Sequence, residues 1–261
     1  MNLDLKNKTA VVCGSTQGIG FATAKELAHM GARLVLVARN EDKLKEAVAE
    51  LTTINNASHT YLVADFQHPE TLDQALNGFT KDDSAHILVN NTGGPPGGQA
   101  IDAELEEFRI AFNQHLICNH LLAKHLVPGM KNGGYGRIIN VISTSVKQPL
   151  NNLGVSNTIR GAVANWSKTL ANELGQFGIT VNNVLPGATD TARLSGIIAK
   201  KAERTGNSLE DVKQGMANQV PLKRVAQPEE VANAIAFLAS PAGAYISGVN
   251  LPVDGGRTGC L

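Results

Sequence analysis

The sequence predicts an α/β fold in which about seven parallel strands form a doubly wound sheet with helices on both faces. Two observations indicate this class. Short β-branched runs alternate with longer segments of helical period, and stretches such as residues 34–37 are apolar throughout. Strict strand–helix alternation favours a parallel sheet, and continuous apolar strands are typical of a sheet that is buried on both faces.

The predicted elements follow one another without a linker-like stretch. Strands are expected at residues 9–13, 33–38, 61–64, 87–91, 137–142, 180–185 and 249–253. Helices are expected at residues 19–30, 41–51, 69–79, 105–130, 155–177 and 228–239. Gly31 and Gly178 lie where helices end, and Pro228 lies where a first helical turn accepts proline. We therefore expect a single domain over residues 1–261, with the weakly patterned residues 190–220 as a lid over the substrate.

Composition excludes several classes of protein. The 23 basic residues balance 23 acidic ones in a chain of 261 residues, which leaves no charge pattern for nucleic acid or an anionic membrane. Three widely spaced cysteines fit neither a disulfide framework nor a zinc ribbon. Residues 1–8 do not resemble a signal peptide, and no run approaches the roughly 20 apolar residues of a membrane span. We expect a cytoplasmic protein without a metal.

A glycine-rich turn joins the first strand to the first helix and reads GSTQGIG over residues 14–20. Glycine allows the backbone to approach a pyrophosphate closely, and the free N–H groups of a helix start attract its charge. The spacing is GxxxGxG, and a tight turn without a ligand is the alternative. The cofactor-binding candidates here are Gly14, Ser15, Thr16, Gln17, Gly18, Ile19 and Gly20.

The end of the second strand discriminates between cofactors. An acidic residue there would bind the adenosine ribose of NAD, but this chain has Arg39 and Asn40. A guanidinium pairs with a phosphate through two parallel hydrogen bonds, so Arg39 favours NADP(H) over NAD(H). The alternative is a solvated arginine that opens the next helix.

With further motifs, the chain resembles the short-chain dehydrogenase/reductase family and its 3-oxoacyl-acyl-carrier-protein-reductase-like branch, which has a Rossmann-type fold. The resemblance covers essentially the whole chain. It rests on the glycine turn, Asp65 after the third strand, NNTG (90–93), Asn113 in a long helix, GRIINVIS (136–143), Pro186-Gly187 with Thr191, and VDGG (253–256).

The resemblance implies positions for the cofactor and for neighbouring subunits. It places Asp65 and Phe66 beside the adenine, Asn91 and Gly93 on the adenosine side, and Pro186, Gly187, Thr189 and Thr191 near the nicotinamide. It also implies a tetramer or dimer built from helices 105–130 and 155–177.

The catalytic pattern of the family is interrupted. Members reduce carbonyls with an asparagine, a serine, a tyrosine and a lysine, and Asn113 and Ser143 stand in register for the first two. Ser156 stands where the family has its tyrosine, and Arg160 stands where it has its lysine. A serine hydroxyl is a far weaker acid than a phenol, and an arginine with a pKa above about 12 cannot relay protons.

The remaining tyrosines do not restore the motif. Tyr61, Tyr135 and Tyr245 are not followed four residues later by a lysine. His115, one turn from Asn113, is a possible substitute proton source, and a histidine on the helix surface is the alternative. His115, His120 and His125 fall on different helix faces, which disfavours a shared metal.

Three functions remain open. The first is an NADP(H)-dependent oxidoreductase acting on a small carbonyl or alcohol, in which Ser143 and Ser156 bracket the substrate oxygen, Arg160 binds the ribose and Asn113 holds a proton-donating water. The second is a cofactor-binding protein without catalysis, acting as a sensor or a partner subunit. The third is non-redox chemistry, such as dehydration or epimerisation, on the same scaffold. The substrate itself is not indicated.

Overall fold

A parallel β-sheet runs through the centre of the chain, whose residues 1–260 are described by a computed structural model. Within these residues the sheet has seven strands in the order β3-β2-β1-β4-β5-β6-β7. The strands are β1 (Thr9–Cys13), β2 (Arg33–Ala38), β3 (Thr60–Val63), β4 (Ile87–Asn90), β5 (Gly136–Val141), β6 (Ile179–Pro186) and β7 (Asn250–Val253). The predicted fold class is confirmed, and each predicted strand is found within one residue at either end.

Helices cover both faces of the sheet. They are α1 (Gly18–His29), α2 (Glu41–Ile54), α3 (Pro69–Asp82), α4 (Leu105–Phe112), α5 (Cys118–Asn132), α6 (Gly154–Leu174), α7 (Ala192–Thr205), α8 (Leu209–Asn218) and α9 (Pro228–Ala239). Among the described residues, none of the helices is long and apolar enough to cross a membrane.

The two faces of each inner strand contribute to two separate apolar clusters. In β1, Ala10 and Val12 pack with the α1, α2 and α9 side, while Val11 and Cys13 pack with the α3 and α5 side. This alternation follows from the two-residue period of a strand, and it explains why strands buried on both faces are apolar at every position.

The strand order reverses between β1 and β4. From β1 the chain moves outward to β2 and β3, and it then returns to β4 on the other side of β1. In sheets of this kind ligands bind in the crevice at the carboxyl ends of the strands where the order reverses. The glycine turn follows β1 and Asn91 follows β4, so both lie at this point.

The predicted helix over residues 105–130 is wrong in its continuity. A π-helical turn, Asn113–Ile117, separates α4 from α5, and the Cys118 N–H donates to the Asn113 carbonyl. A π turn inserts one extra residue, which an apolar period of 3.6 does not reveal, and such turns are frequent at functional sites.

Residues 190–220 form two regular helices, although their weak sequence pattern predicts none. They contain α7 and α8, which pack through Leu194, Ile198 and Val212 in an apolar cluster of their own. The Thr191 and Ser208 hydroxyls accept hydrogen bonds from the first turns of these helices and cap them.

A row of asparagines crosses four neighbouring strands on one rung of the sheet. Asn90, Asn140, Asn183 and Asn250 stand in register on β4 to β7. Each amide donates to the next, with Nδ2–Oδ1 distances of 2.8, 2.9 and 2.8 Å, and Asn140 also donates to the Ser167 hydroxyl. A register slip would separate these amides from their present partners, so the row favours the observed pairing of the four strands.

We expect Asn140→Ala to lower the free energy of unfolding by about 3 kcal/mol, because it leaves buried amide groups on both neighbours without partners. Urea unfolding measures this difference. Asn77→Ala on the exposed side of α3 is the matched control and should change the free energy by less than about 0.5 kcal/mol. A loss below about 1 kcal/mol for Asn140→Ala would show that the row does not stabilise the sheet.

Candidate active site

A cavity of about 350 Å³ opens at the carboxyl ends of the strands where the strand order reverses. Its walls come from the ends of β1, β2, β3 and β4 and from the start of α7. The predicted cofactor residues that line it are Gly14, Thr16, Gln17, Gly18, Ile19, Arg39, Asp65, Phe66, Asn91, Gly93 and Thr191. Other predicted cofactor residues are not part of its lining, namely Ser15, Gly20, Asn40, Arg160, Pro186, Gly187 and Thr189.

Two glycines of the turn are required by packing inside the protein. Asn91 Nδ2 lies 3.3 Å from the carbonyl oxygens of both Cys13 and Gly14, and it holds the turn against the end of β4. A Cβ on Gly14 would lie 2.6 Å from the Asn91 carbonyl oxygen, and one on Gly20 would lie 2.2 Å from the Gly14 carbonyl oxygen. The Asn91 amide therefore positions the turn.

The start of α1 is open to the cavity. Gly18 has φ +56°, and Gln17, at the N-cap, provides no side-chain hydrogen bond to the first turn. First-turn N–H groups without a cap attract an anion through their partial positive charge. A Cβ on Gly93, across the cavity, would meet no atom within 4 Å, so space remains for a ligand there. The turn fits a dinucleotide pyrophosphate.

Arg39 is exposed where β2 ends, and its guanidinium borders the cavity. Within residues 1–260, no carboxylate oxygen lies within 4 Å of it. The Asn40 side chain already has a structural role, because its Oδ1 accepts a hydrogen bond from the Lys43 N–H at 2.9 Å and caps α2. Arg39 alone of this pair is free to meet a phosphate.

The residues at the family's catalytic positions come from the end of β5 and the start of α6. Ser143 follows β5, and its hydroxyl accepts a hydrogen bond from the Ser145 N–H at 3.1 Å. Ser156 and Arg160 lie one turn apart on α6 and are both buried. Arg160 Nη1 donates to the Val141 carbonyl at 2.9 Å, which ties α6 to the strand that carries Ser143.

Asn113 is not part of the cavity lining, although the adjacent Gln114 is. Asn113 begins the π turn and borders a separate surface hollow with Phe108, Phe112 and Ile159.

His115 is buried, so its placement on the helix surface is wrong. The residue is 1% exposed, and its Nε2 has no hydrogen-bond partner within residues 1–260. Burial, reinforced by the charges of Arg160 and Arg193, lowers the His115 pKa to about 2. The imidazole is therefore neutral near pH 7, which disfavours the alternative that His115 supplies the proton. The interpretation of residues 105–130 as one regular helix concealed this burial.

The tyrosines also lie in other environments. The Tyr61 hydroxyl donates to Glu41, the Tyr135 hydroxyl donates to the Ala239 carbonyl, and Tyr245 is fully exposed. These positions agree with the sequence interpretation that no tyrosine replaces the missing acid.

The segment after β6 is held in place mainly by packing and hydrogen bonds within the protein. A Cβ on Gly187 would lie 2.8 Å from the Asp254 Cα, so the Pro186-Gly187 turn packs tightly on the loop after β7. The Thr189 hydroxyl donates to the Gly187 carbonyl, and Thr191 caps α7 while its side chain borders the cavity.

Sequence reasoning did not identify Arg193, in the first turn of α7. Its guanidinium lines the cavity and donates to the carbonyls of Gly94 and Pro95 at 2.7 and 3.3 Å. The residue follows Thr191 by two positions, but no local pattern indicates that it reaches a loop about 100 residues earlier.

Comparison with known proteins agrees with this geometry. A family model described as enoyl-(acyl carrier protein) reductase matches residues 14–258. The 3-oxoacyl-(acyl-carrier-protein) reductase FabG of Pseudomonas aeruginosa is 31% identical over 257 residues, which cover 97% of this chain and 98% of that protein. The NADPH-dependent reductase BacG of Bacillus subtilis is 30% identical, with coverage of 97% and 98%.

A solved structure gives the same result at the level of the fold. L-sorbose reductase from Gluconobacter frateurii, complexed with NADPH and L-sorbose, is 34% identical and superposes with a TM-score of 0.95 over 100% of both chains. The protein belongs to the short-chain dehydrogenase/reductase family of oxidoreductases.

Proposed function

We propose that this protein is an NADP(H)-dependent oxidoreductase of a small carbonyl or alcohol compound, in which Ser156 and Arg160 act where relatives use tyrosine and lysine. The observation that carries the proposal is the cavity itself, with an uncapped helix start on one side and the unpaired Arg39 cation on the other. The NADPH complex of L-sorbose reductase and the name of BacG support the choice of cofactor.

Each part of the cavity has a role in holding the cofactor. The first-turn N–H groups of α1 bind the pyrophosphate, and Arg39 binds the 2′-phosphate. Asp65 and Phe66, which line the cavity, would border the adenine, and Thr191, which also lines it, would border the nicotinamide side. Arg160 donates to the nicotinamide ribose and keeps a positive charge beside it. The nicotinamide, when bound, supplies or accepts the hydride.

The protein contributes orientation and polarisation at the substrate oxygen. The Ser143 and Ser156 hydroxyls donate hydrogen bonds to that oxygen, and a water held by Asn113 delivers the proton. A positioned acid is worth about 10²–10⁴-fold in rate, so a serine–water arrangement is slower than a phenol. Helices α7 and α8, within residues 190–220, cover the substrate.

Two further features of the proposal concern the assembly and its location. Apolar side chains on α4 remain exposed, including Leu105 at 72% and Phe112 at 40%, and they favour a homo-oligomer that buries this helix with α5 and α6. The cytoplasm is the proposed compartment.

A cofactor-binding protein without catalysis is the second candidate. The buried, neutral His115 and the distant tyrosines favour it, because they leave the site without a side-chain acid that titrates near pH 7. A screen for NADPH oxidation with aldehydes, ketoses, oxo acids and 3-oxoacyl thioesters separates the two. Turnover above background supports the oxidoreductase, whereas NADPH binding without turnover supports the second candidate.

We expect Arg39→Gln to weaken NADPH binding by about 10- to 100-fold, because it removes charge-assisted hydrogen bonds to the 2′-phosphate. The affinity for NADH, which lacks this phosphate, should change by less than about threefold. Fluorescence titration of both cofactors measures this, with the exposed Arg204→Gln on α7 as control. Equal losses for NADPH and NADH would contradict the assignment of Arg39.

Substitution of Ser156 tests the proposed catalytic pair. Ser156→Ala should lower kcat at least tenfold while the NADPH dissociation constant stays within about twofold, because the hydroxyl acts on the substrate. Thr158→Ala, on the exposed side of the same helix, is the control. An unchanged kcat would remove Ser156 from the mechanism.

The double variant Ser156→Tyr with Arg160→Lys is a second test of the proposed catalytic pair. Faster ketone reduction would show that the scaffold lacks only its phenolic acid. Loss of the native activity would show that the serine–arginine pair is adapted to a different geometry.

The pH profile tests the neutral state of His115. Its lowered pKa of about 2 means that it binds no proton between pH 6 and 8, so kcat/KM should show no inflection from this residue. The profile is measured for the unmodified protein, for His115→Asn and for the exposed control His29→Gln. An inflection near pH 6.5 that disappears in His115→Asn alone would contradict the prediction.

A further inference from the structure

Two arginines converge on Gly94, in the loop that follows β4. A Cβ built on Gly94 would lie 2.7 Å from Arg193 Nη2 and 3.3 Å from Arg160 Nη2. The two guanidinium nitrogens are therefore within about 6 Å of each other, a distance at which like charges repel appreciably in a partly buried site.

Neither charge is compensated by an acidic residue. In the described part of the chain, no carboxylate oxygen lies within 4 Å of either guanidinium. Arg160 is 7% exposed, its Nη1 donates to the Val141 carbonyl, and its Nε has no hydrogen-bond partner within residues 1–260. Burial of an unpaired cation costs several kcal/mol, so such a group is a candidate for binding an anion.

The charges of these two arginines also lower the pKa values of neighbouring groups. Burial and then the charge of Arg193 lower the pKa of Arg160 to about 10. Arg160 and Arg193 both add to the lowering of the His115 pKa. A bound anion would relieve the repulsion between the arginines and use the free donors of Arg160.

We infer that Arg160 and Arg193 form a clamp for an oxyanion, and that this oxyanion is the carboxylate of the substrate. The inference rests on the proposed function, since it places the substrate carbonyl at Ser156. Ser156 precedes Arg160 by one helical turn, so a carboxylate on the clamp lies within a few bonds of that carbonyl. The substrate class is accordingly a short oxo acid, or the hydroxy acid in the reverse direction.

The loop of Gly94 is joined to the start of α6 by two backbone hydrogen bonds. The Gly98 N–H donates to the Asn152 carbonyl, and the Gly154 N–H donates to the Gly98 carbonyl, each at 2.9 Å. These bonds bring the loop to the start of the helix that carries Ser156 and Arg160. Because Arg193 also lines the cofactor cavity, the pyrophosphate of NADP is the other possible source of the same oxyanion chemistry.

Isothermal titration with a matched pair of probes tests the clamp. The anionic probe is 3-oxobutanoate and the neutral probe is 3-oxobutanamide, each titrated into the cofactor-free protein and into the protein saturated with NADP⁺. We expect the unmodified protein to bind the carboxylate at least tenfold more tightly than the amide. Arg193→Gln should reduce this preference to below threefold, while Arg204→Gln on the same helix should preserve it.

Two further variants distinguish a loss of the clamp from a loss of folding. Arg193→Lys keeps the charge without the planar fork, so an intermediate preference is expected. Gly94→Ala places a methyl group against the Arg193 guanidinium and should also reduce the preference. Far-UV circular dichroism and the midpoint of urea unfolding verify that each variant is folded.

Two results would overturn the inference. One is equal binding of the carboxylate and the amide by the unmodified protein. The other is an at least tenfold loss of NADP⁺ affinity in Arg193→Gln with the carboxylate preference intact, which would assign the arginines to the pyrophosphate. A failure of NADP⁺ to bind would refute the proposed function instead, and the cofactor-free titration would still test the clamp.

Discussion

The row of asparagine amides across β4 to β7 is the interaction on which the site depends most. It joins the strands side by side at a single rung, and Asn140 at its centre is fully buried. The chain leaves these strands toward the site, with Asn91 after β4 and Ser143 after β5. Because a one-residue slip would turn every side chain to the other face, the row fixes the relative heights of these groups.

The second constraint is a group of three arginines at the edge of the sheet where the carboxyl ends of the strands lie. The chain as a whole is balanced, with 23 basic and 23 acidic residues, yet Arg39 and Arg193 line the cavity and Arg160 approaches Arg193 at Gly94. Within residues 1–260, none of the three has a carboxylate within 4 Å. We attribute Arg39 to the 2′-phosphate of the cofactor, Arg193 to the substrate carboxylate, and Arg160 both to that carboxylate and to the nicotinamide ribose. The cost of burying the Arg160 cation in the free protein is then recovered when the carboxylate binds.

The strands and the glycine turn could be predicted from sequence because apolar runs and turn chemistry are local properties. The π turn at Asn113 could not, since one inserted residue barely changes an apolar period. The burial of His115 was missed for the same reason. Contacts made over a long sequence separation were also missed, namely the packing of Gly20 beneath Asn91 and the approach of Arg193 to the Gly94 loop. No single segment contains the signal for such contacts.

A crystal structure of the protein with NADP⁺ and 3-oxobutanoate tests the central claim most directly. We expect the 2′-phosphate within hydrogen-bonding distance of Arg39 and the ketone oxygen between the Ser143 and Ser156 hydroxyls. We expect the carboxylate to be hydrogen-bonded to Arg160 and Arg193. A complex in which Arg160 and Arg193 bind the pyrophosphate, or in which the ketone lies away from Ser156, would contradict this claim.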